Sequence, residues 1–113
     1  MHELSITENM LSLALEEAKK GNGKKITKIN LVIGEMTGVV PDSVNFYFEF
    51  LSKNTIADGA VLAFSLIPIK THCQNCGLEF TLEEGKWFCP TCQNTNLTII
   101  AGNELFVESI EVD

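Results

Sequence analysis

Apolar residues recur with the period of a helix near the start of the chain. They form a broad stripe that consists of Met10, Leu11, Leu13, Ala14, Leu15 and Ala18. Ser5 and Glu8 have the spacing of a capping box, in which a serine begins the helix and a glutamate three residues later bonds back to it. Gly21 suits the left-handed residue that often follows the last turn. The pattern predicts a first helix from about Ile6 to Lys20.

The next segment alternates between apolar and polar residues, as a half-buried strand does. Ile29, Leu31 and Ile33 share one face of a strand that begins at Ile26 and ends at Gly34. The alternation therefore predicts a first strand directly after the first helix.

A second helix is predicted from Pro41, because proline suits the first helical turn. Its expected buried stripe consists of Val44, Tyr47, Phe48 and Leu51, widened by Phe46 and Phe50. Asn54 is the expected stop.

Two further strands complete this part of the pattern. Residues 60–67 place Leu62, Phe64 and Leu66 on one face, after a turn at Asp58. Residues 104–112 read as a last strand, but both of its faces are partly apolar, so that the pattern leaves its orientation open.

The chain has four cysteines, arranged as two Cys-x-x-Cys pairs: Cys73 with Cys76, and Cys89 with Cys92. Twelve residues separate the pairs, so that two short turns can each offer two thiolates to one tetrahedral ion. Four thiolates leave no position free for a substrate, which favours structural over catalytic zinc. A rubredoxin-like iron centre and a dithiol redox site are the alternatives, although a redox site needs only one pair.

The predicted order is helix, strand, helix, strand, cysteine-rich insert and strand. We expect an α/β (α+β) fold in which two helices cover one face of a small three-stranded sheet. The insert would be a zinc-ribbon-like module with a small core of Phe80, Leu82, Trp87 and Phe88. Residues 1–68 and 104–113 would form one domain, and residues 69–103 the other.

The chain begins Met1-His2-Glu3, a group that can chelate a metal without the rest of the fold. The α-amine, the amide nitrogen of His2 and its imidazole can close two adjacent rings around one ion. Nickel(II) and copper(II) can displace the amide proton and accept a square-planar ligand field, with Glu3 completing the set. Because cytosolic copper(II) is scarce, nickel is the favoured ion. A histidine at position 2 is also a common accident, so that the residues alone leave both interpretations open.

Charge and composition exclude several classes of function. The 113 residues are 45% hydrophobic, which suits a packed core, and carry a net charge of −7, which disfavours nonspecific binding to nucleic acid. The first residues are polar without an apolar signal region, and no apolar run approaches the roughly 20 residues of a membrane span. We therefore expect a cytoplasmic protein with no membrane insertion.

No paired carboxylates, nucleophile–base arrangement or phosphate-binding loop indicates an enzyme. The residues therefore leave two classes of function. One is a metal-handling protein, and the other is a zinc-ribbon adaptor that binds a partner without handling nickel.

Several segments together resemble the HypA/HybF family, the nickel-insertion accessory proteins of nickel–iron hydrogenase maturation. They are MHE before the first helix, IGEMTGVVPDSVNFYFEF after the first strand, HCQNCG, FCPTCQN and the closing GNELFVESIEV. They occur in the family's order over essentially the whole chain. The resemblance implies a nickel metallochaperone rather than an enzyme.

The resemblance also implies a set of sites and partners. His2 would be the essential nickel ligand, assisted by the amine of Met1 and by Glu3, and the four cysteines would hold structural zinc. The implied partners are the GTPase HypB and the hydrogenase large subunit, and in some bacteria the family also serves urease. Some relatives supply a further nickel ligand, for which Asp42 and His72 are the candidates in this chain. Whether the protein forms a homodimer is left open.

Overall fold

The computed structural model describes residues 3–113, so that Met1 and His2 of the predicted nickel site lie outside the described residues. Within that range the elements are α1 Glu3–Lys20, β1 Ile26–Gly34, a short 3-10 turn Glu35–Thr37, α2 Pro41–Leu51, β2 Val61–Ile67, β3 Lys70–Cys73, β4 Glu79–Thr81, β5 Leu97–Ala101 and β6 Leu105–Val112. In this part of the chain, neither helix combines the length and apolar character that crossing a bilayer requires.

The strands β2, β1 and β6 form a sheet in that order, with β1 in the centre. The first two are parallel, and β6 is antiparallel to β1. Parallel neighbours need a crossover connection, and α2 supplies it between β1 and β2. The predicted three-stranded sheet with two helices is confirmed, and we call this part of the molecule the helix-covered sheet.

The core lies between this sheet and the helices. Ile29, Leu31 and Ile33 of β1 are buried in one cluster with residues of both helices, among which Ala14 and Phe48 are representative. The alternation along β1 and the helical period along α1 and α2 therefore place the apolar side chains of all three elements in one layer. This arrangement places the start of α1 beside the start of α2.

The buried stripes of the two helices are narrower than predicted. Phe46 and Phe50 are each 56% exposed, and Leu13 of α1 is also exposed. A three-stranded sheet covers only a narrow face of each helix, so that residues at the margins of the stripes remain in solvent. The Phe46 ring instead packs edge-on against Phe50, with ring centroids 5.0 Å apart.

The start of α1 differs from the predicted capping box. The helix extends to Glu3, so that Ser5 lies within the first turn rather than at the N-cap. The Thr7 hydroxyl donates to the Glu3 carbonyl oxygen at 2.6 Å, and the Val40 backbone N–H donates to the Glu3 carboxylate at 3.4 Å. The longer helix thus contacts Val40, the residue before α2. The local spacing of residues does not predict this contact.

The helix α1 ends at Lys20, as predicted, but the left-handed residue after it differs from the expected one. Asn22, with φ of 57°, adopts the left-handed conformation that was expected of Gly21. The Gly23 N–H then donates to the Ala18 carbonyl oxygen at 2.8 Å, which caps the last turn of the helix.

The strand whose orientation the pattern left open is β6. Asn30 lies opposite Ser109, whereas the next residue, Leu31, lies opposite Val107, so that Glu108 is an extra residue in a bulge. The bulge changes the alternation, and both Val107 and Ile110 pack against the core.

The remaining strands form a second antiparallel sheet in the order β4, β3, β5. They lie within residues 69–103, which we call the cysteine module. The inserted module is therefore confirmed, while the division into two domains at these boundaries stays a prediction.

The backbones of the two sheets come into close contact at Gly34, Ile69 and Gly102. The Met36 N–H donates to the Gly102 carbonyl oxygen at 2.7 Å. A Cβ on Gly102 would lie 2.7 Å from the Cα of Ile69, and a Cβ on Gly34 would overlap the Gly102 carbonyl. Positions 34 and 102 therefore accept only glycine.

Candidate metal centre

The first cysteine turn follows directly from β3, whose last residue is Cys73. The Cys73 N–H donates to the Leu78 carbonyl oxygen at 2.8 Å, and the Gly77 N–H donates to the Cys73 carbonyl oxygen at 2.9 Å. Gly77 has φ of 78°. These bonds close a tight loop that contains both Cys73 and Cys76.

The second turn repeats the same two backbone hydrogen bonds before β5. The Cys89 N–H donates to the Asn94 carbonyl oxygen at 2.9 Å, and the Gln93 N–H donates to the Cys89 carbonyl oxygen at 2.8 Å. Gln93 has φ of 62°, so that it occupies the position of the glycine in the first turn. The two turns therefore have equivalent backbones but different residues at the left-handed position.

The two turns are joined by hydrogen bonds as well as by their strands. The Gln74 N–H donates to the Asn96 carbonyl oxygen at 3.0 Å, and the Gln74 side chain bonds the Thr98 hydroxyl. Pairing of β3 with β5 places Cys73 opposite Leu97. The antiparallel sheet therefore brings two turns that are distant in sequence to one point.

All four Sγ atoms lie within 4.8 Å of one another. The Sγ atoms of Cys73 and Cys92 are 3.5 Å apart, as are those of Cys76 and Cys89. Four sulfurs at about 2.3 Å from a central zinc ion would stand about 3.8 Å apart in a tetrahedron. The observed cluster therefore fits a zinc ion.

The pairing of the sulfurs argues against a dithiol redox site. The short contacts join one cysteine of each turn, whereas such a site uses the two cysteines of one Cys-x-x-Cys motif. All four thiols are free. The arrangement instead suits one ion held by both turns.

The side chains around the cluster form a thinner core than predicted. Cys73, Cys89 and Leu82 are buried, but Trp87 and Phe88 are exposed. The sulfur cluster itself thus occupies much of the interior of the module.

Cys92 and Cys76 differ in their readiness to ionise. The Asn75 side chain and then the Asn94 backbone N–H lower the pKa of Cys92 to about 6, because both stabilise its thiolate. The Leu78 N–H favours the thiolate of Cys76, but the crowding thiols, first that of Cys89, outweigh it and raise the pKa of Cys76 to about 12. Several thiolates at one point repel one another, and a divalent cation relieves that repulsion.

The structure places the remaining candidate ligands in two regions. Glu3 lies half-buried at the start of α1, and Asp42 is exposed in the first turn of α2, two residues after the Val40 N–H that bonds Glu3. His72 lies on β3, with its Nδ1 3.7 Å from the Glu79 carboxylate on β4. Within residues 3–113, the four cysteines are the one group of three or more histidine, cysteine, aspartate or glutamate residues that could hold a metal ion.

The sequence analysis did not identify two residues that contribute to these sites, Asn75 and Val40. Asn75 acts through its contact with Cys92 in the other turn, and Val40 acts through its backbone N–H. Neither has a local signal, because both depend on segments that fold together from distant positions.

Residues 1–112 match a protein family described as hydrogenase/urease nickel incorporation, metallochaperone, hypA. A hydrogenase maturation factor HypA of Dehalococcoides mccartyi strain CBDB1 is 53% identical over 113 residues, which are 100% of this chain and 95% of that protein.

Two solved structures have a similar fold. The solution structure of the Ni metallochaperone HypA from Helicobacter pylori matches with a TM-score of 0.67 and 25% identity, over 99% of this chain and 97% of that one. A second solution structure, of HypA protein, matches with a TM-score of 0.73 and 26% identity, over 100% and 97% of the two chains. The chain therefore belongs to the HypA family of nickel metallochaperones, which act in hydrogenase maturation.

Proposed function

We propose that this protein binds nickel(II) through Met1, His2 and Glu3 and delivers it during maturation of nickel–iron hydrogenase. The observation that carries the proposal is the family match, which begins at residue 1 and so includes all three residues. Nickel is cargo in this function, so that its ligands must bind it and then give it up. Nitrogen ligands at one end of the chain can be displaced one at a time by a recipient.

The contacts of Glu3 support this position for the cargo. Its carbonyl oxygen accepts the Thr7 hydroxyl, and its carboxylate accepts the Val40 N–H. Glu3 is therefore held at the start of α1 and beside Val40, the residue before α2. Asp42, in the first turn of α2 two residues after Val40, is a candidate for an additional ligand, whereas His72 faces Glu79 in the other sheet.

We further propose that Cys73, Cys76, Cys89 and Cys92 hold a structural zinc ion. Four thiolates complete a tetrahedral shell, so that the ion has no open position for a substrate. Together with its zinc the centre has a formal charge of about −2, since each thiolate contributes −1 and the ion +2. The zinc ion would stay in the cysteine module and stabilise it, whereas the nickel ion at residues 1–3 would be the ion that is delivered.

Delivery requires partners, and we propose the GTPase HypB and the hydrogenase large subunit, with urease maturation as a further destination. The protein would change no covalent bond, would act in the cytoplasm, and would consist of a nickel-binding domain, residues 1–68 and 104–113, with an inserted zinc-binding domain, residues 69–103. The acidic net charge of −7 suits contact with basic surfaces of such partners.

Nickel titration of the untagged protein tests the cargo site. We expect His2→Ala to weaken nickel binding by about a hundredfold or more, because it removes the imidazole and opens a chelate ring. His72→Ala is the matched control, since the chain has two histidines and this one lies in the cysteine module. Zinc content should stay at one equivalent in both variants. Unchanged nickel affinity in His2→Ala would refute the proposed site.

A further inference from the structure

The lysines of this chain are distributed unevenly. The chain contains eight lysines and no arginine, and four of the lysines, Lys19, Lys20, Lys24 and Lys25, fall within seven consecutive positions. This segment, residues 19–25, contains no acidic residue, and we call it the lysine turn. Since the whole chain carries a net charge of −7 and the lysine turn carries +4, the remaining residues carry −11. One short segment therefore has a charge opposite to that of the rest of the protein.

The lysine turn joins the end of α1 to the start of β1, and backbone hydrogen bonds hold it at both ends. The Gly23 N–H donates to the Ala18 carbonyl oxygen at 2.8 Å. The Lys24 N–H donates to the Asp113 carbonyl oxygen at 3.2 Å, and the Asp113 N–H donates to the Lys25 carbonyl oxygen at 2.9 Å. All four lysines are exposed. The backbone thus fixes where the four side chains begin, while the side chains themselves stay in solvent.

The protein itself neutralises little of this charge. Lys20 forms an exposed ion pair with Glu17, in which Nζ lies 3.4 Å from the carboxylate oxygen. Among the described residues, Lys19, Lys24 and Lys25 have no partner in an ion pair. The negative end of the helix dipole favours lysines in the last turn of α1, but Lys24 and Lys25 lie beyond that turn. Three ammonium groups are therefore free to bind an external anion.

The chemistry of the lysine turn favours carboxylates over phosphate. Phosphate sites commonly use arginine side chains or free backbone N–H groups at the N-terminus of a helix. This chain has no arginine, and the lysine turn lies at the C-terminal end of α1. The backbone N–H groups of residues 21–24 already donate to carbonyl oxygens. What remains is a set of separate point charges on flexible stems, which suits carboxylates that are spaced along a chain.

An extended anionic surface would be a poorer partner than a short segment. A membrane or a nucleic acid presents negative charge over a wide area, so that it would also face the −11 of the remaining residues. The lysine turn has no apolar side chain that could enter a bilayer. A short acidic segment can contact the lysine turn alone and avoids both disadvantages.

We propose that the lysine turn is the docking site of a short segment, rich in aspartate and glutamate, of a partner protein. The helix α1 has 18 residues and is therefore about 27 Å long, which separates the lysine turn from the proposed nickel ligands. The strand β1 runs from the lysine turn to Gly34, so that the cysteine module lies at the opposite end of this strand. A segment held at the lysine turn would leave both of those regions uncovered. The inference uses no property of the nickel ligands, so that it and the proposed function can fail separately.

Titration of the zinc-loaded, nickel-free protein with an acetylated tetraglutamate peptide, followed by amide NMR signals, tests the proposal. We expect signal shifts centred on residues 19–25 and a dissociation constant on the order of 1 mM at low ionic strength, since exposed ion pairs are individually weak. Adding salt to about 0.5 M should weaken binding about fivefold or more, because salt screens exposed charges. Shifts that are centred on other residues, or that do not saturate by about 10 mM peptide, would overturn the proposal.

Two double substitutions separate the lysine turn from the overall charge of the protein. Lys24→Gln combined with Lys25→Gln should raise the dissociation constant about fivefold or more, because two exposed ion pairs are lost. Lys70→Gln combined with Lys86→Gln is the matched control, since it changes the net charge equally at exposed positions of the cysteine module. The control should alter the constant by less than about twofold. Equal weakening by the two double variants would contradict the assigned segment.

Tripolyphosphate as a competing probe tests the choice of carboxylates. It is a compact anion, so that we expect it to shift the same signals with a higher dissociation constant than the peptide. Binding of tripolyphosphate at least as tight as that of the peptide would overturn the assignment to an acidic protein segment.

Discussion

The sheet of β2, β1 and β6 is covered by two helices, whereas the sheet of β4, β3 and β5 carries the two cysteine turns. Among the described residues, the buried core cluster draws all of its members from residues 10–57. The cysteine module buries few side chains of its own, namely Ile69, Thr71, Cys73, Leu82 and Cys89. Both sheets have three strands, but one packs against an apolar core, whereas the other carries the cluster of four cysteine sulfur atoms.

This difference indicates two sources of stability in one chain. Apolar burial contributes roughly 25 cal/mol per Å² and stabilises the helix-covered sheet without help from an ion. A module of about 35 residues cannot bury enough apolar area to offset its conformational entropy, so that it depends on metal binding. Removal of the metal and substitutions in the core should therefore affect the two sheets differently.

Loss of the zinc ion should have the largest effect. In Cys89→Ser we expect the cysteine module to lose its fold, because zinc binding contributes on the order of 10 kcal/mol in comparable sites. The helices and β1 should keep theirs, since the core cluster contains no residue of the module. Hydrogen exchange by region and zinc analysis would measure both effects.

Thr91→Ser is the matched control, because Thr91 is exposed between the two cysteines of the same turn. It should retain one zinc equivalent and the exchange pattern of the unmodified protein. Equal loss of protection in β1 and in β3 after zinc loss would show that the two sheets depend on the same source of stability.

Truncation in the apolar core should have the next largest effect. Ile29 is fully buried in the centre of β1, and Ile29→Ala should lower the free energy of unfolding by about 3 kcal/mol through lost burial and a cavity. Ile100→Ala, at an exposed position of β5, should change it by less than about 1 kcal/mol. Urea titration followed by helical circular dichroism reports the difference. Similar losses in the two variants would contradict the location of the core.

The junction between the sheets should be sensitive to a single methyl group. Gly102 has φ of 110°, and a Cβ there would meet the backbone of Ile69, so that Gly102→Ala should cost about 2 kcal/mol or more. Gly59 also has a positive φ, of 83°, but a Cβ there meets nothing within 4 Å. Gly59→Ala should therefore cost only about 1 kcal/mol. Thermal unfolding of the zinc-loaded proteins compares them, and equal costs would remove the steric argument.

Exchanges at the two left-handed positions should have the smallest effects and opposite signs. Gly77→Ala should weaken zinc binding about fivefold, because alanine is strained at φ of 78° while its Cβ meets no neighbour. Gln93→Gly relieves the same strain in the second turn and should strengthen binding by up to about fivefold. Competition with a chromophoric chelator measures both constants. A change of the same sign in both variants would show that the turns are not equivalent.

Local sequence was sufficient for the elements whose signals repeat along one segment. The stripe of α1, the alternation of β1, the proline that starts α2 and the two cysteine pairs all predicted elements that the structure contains. Each of these signals depends on the spacing of residues that are close in sequence. Residues at the spacing of a helix or a strand lie on one face of it, and the two cysteines of each pair lie in one turn.

Other features were decided only when distant segments came together. The bulge at Glu108 turns Val107 and Ile110 toward the same core, although their spacing predicts opposite faces. Which sulfurs approach most closely, and which asparagine stabilises the Cys92 thiolate, depends on the pairing of β3 with β5. The longer α1 is accompanied by a contact between Glu3 and Val40 that no local pattern contains.

The sequence by itself thus determined the helices and strands of the helix-covered sheet and which thiols lie together, because periodicity and ligand spacing act over short distances. The tertiary structure decided how the faces of β6 are oriented and which sulfurs approach one another most closely. Those outcomes depend on free-energy differences between whole packed arrangements, in which each residue's environment is set by segments far away in the chain.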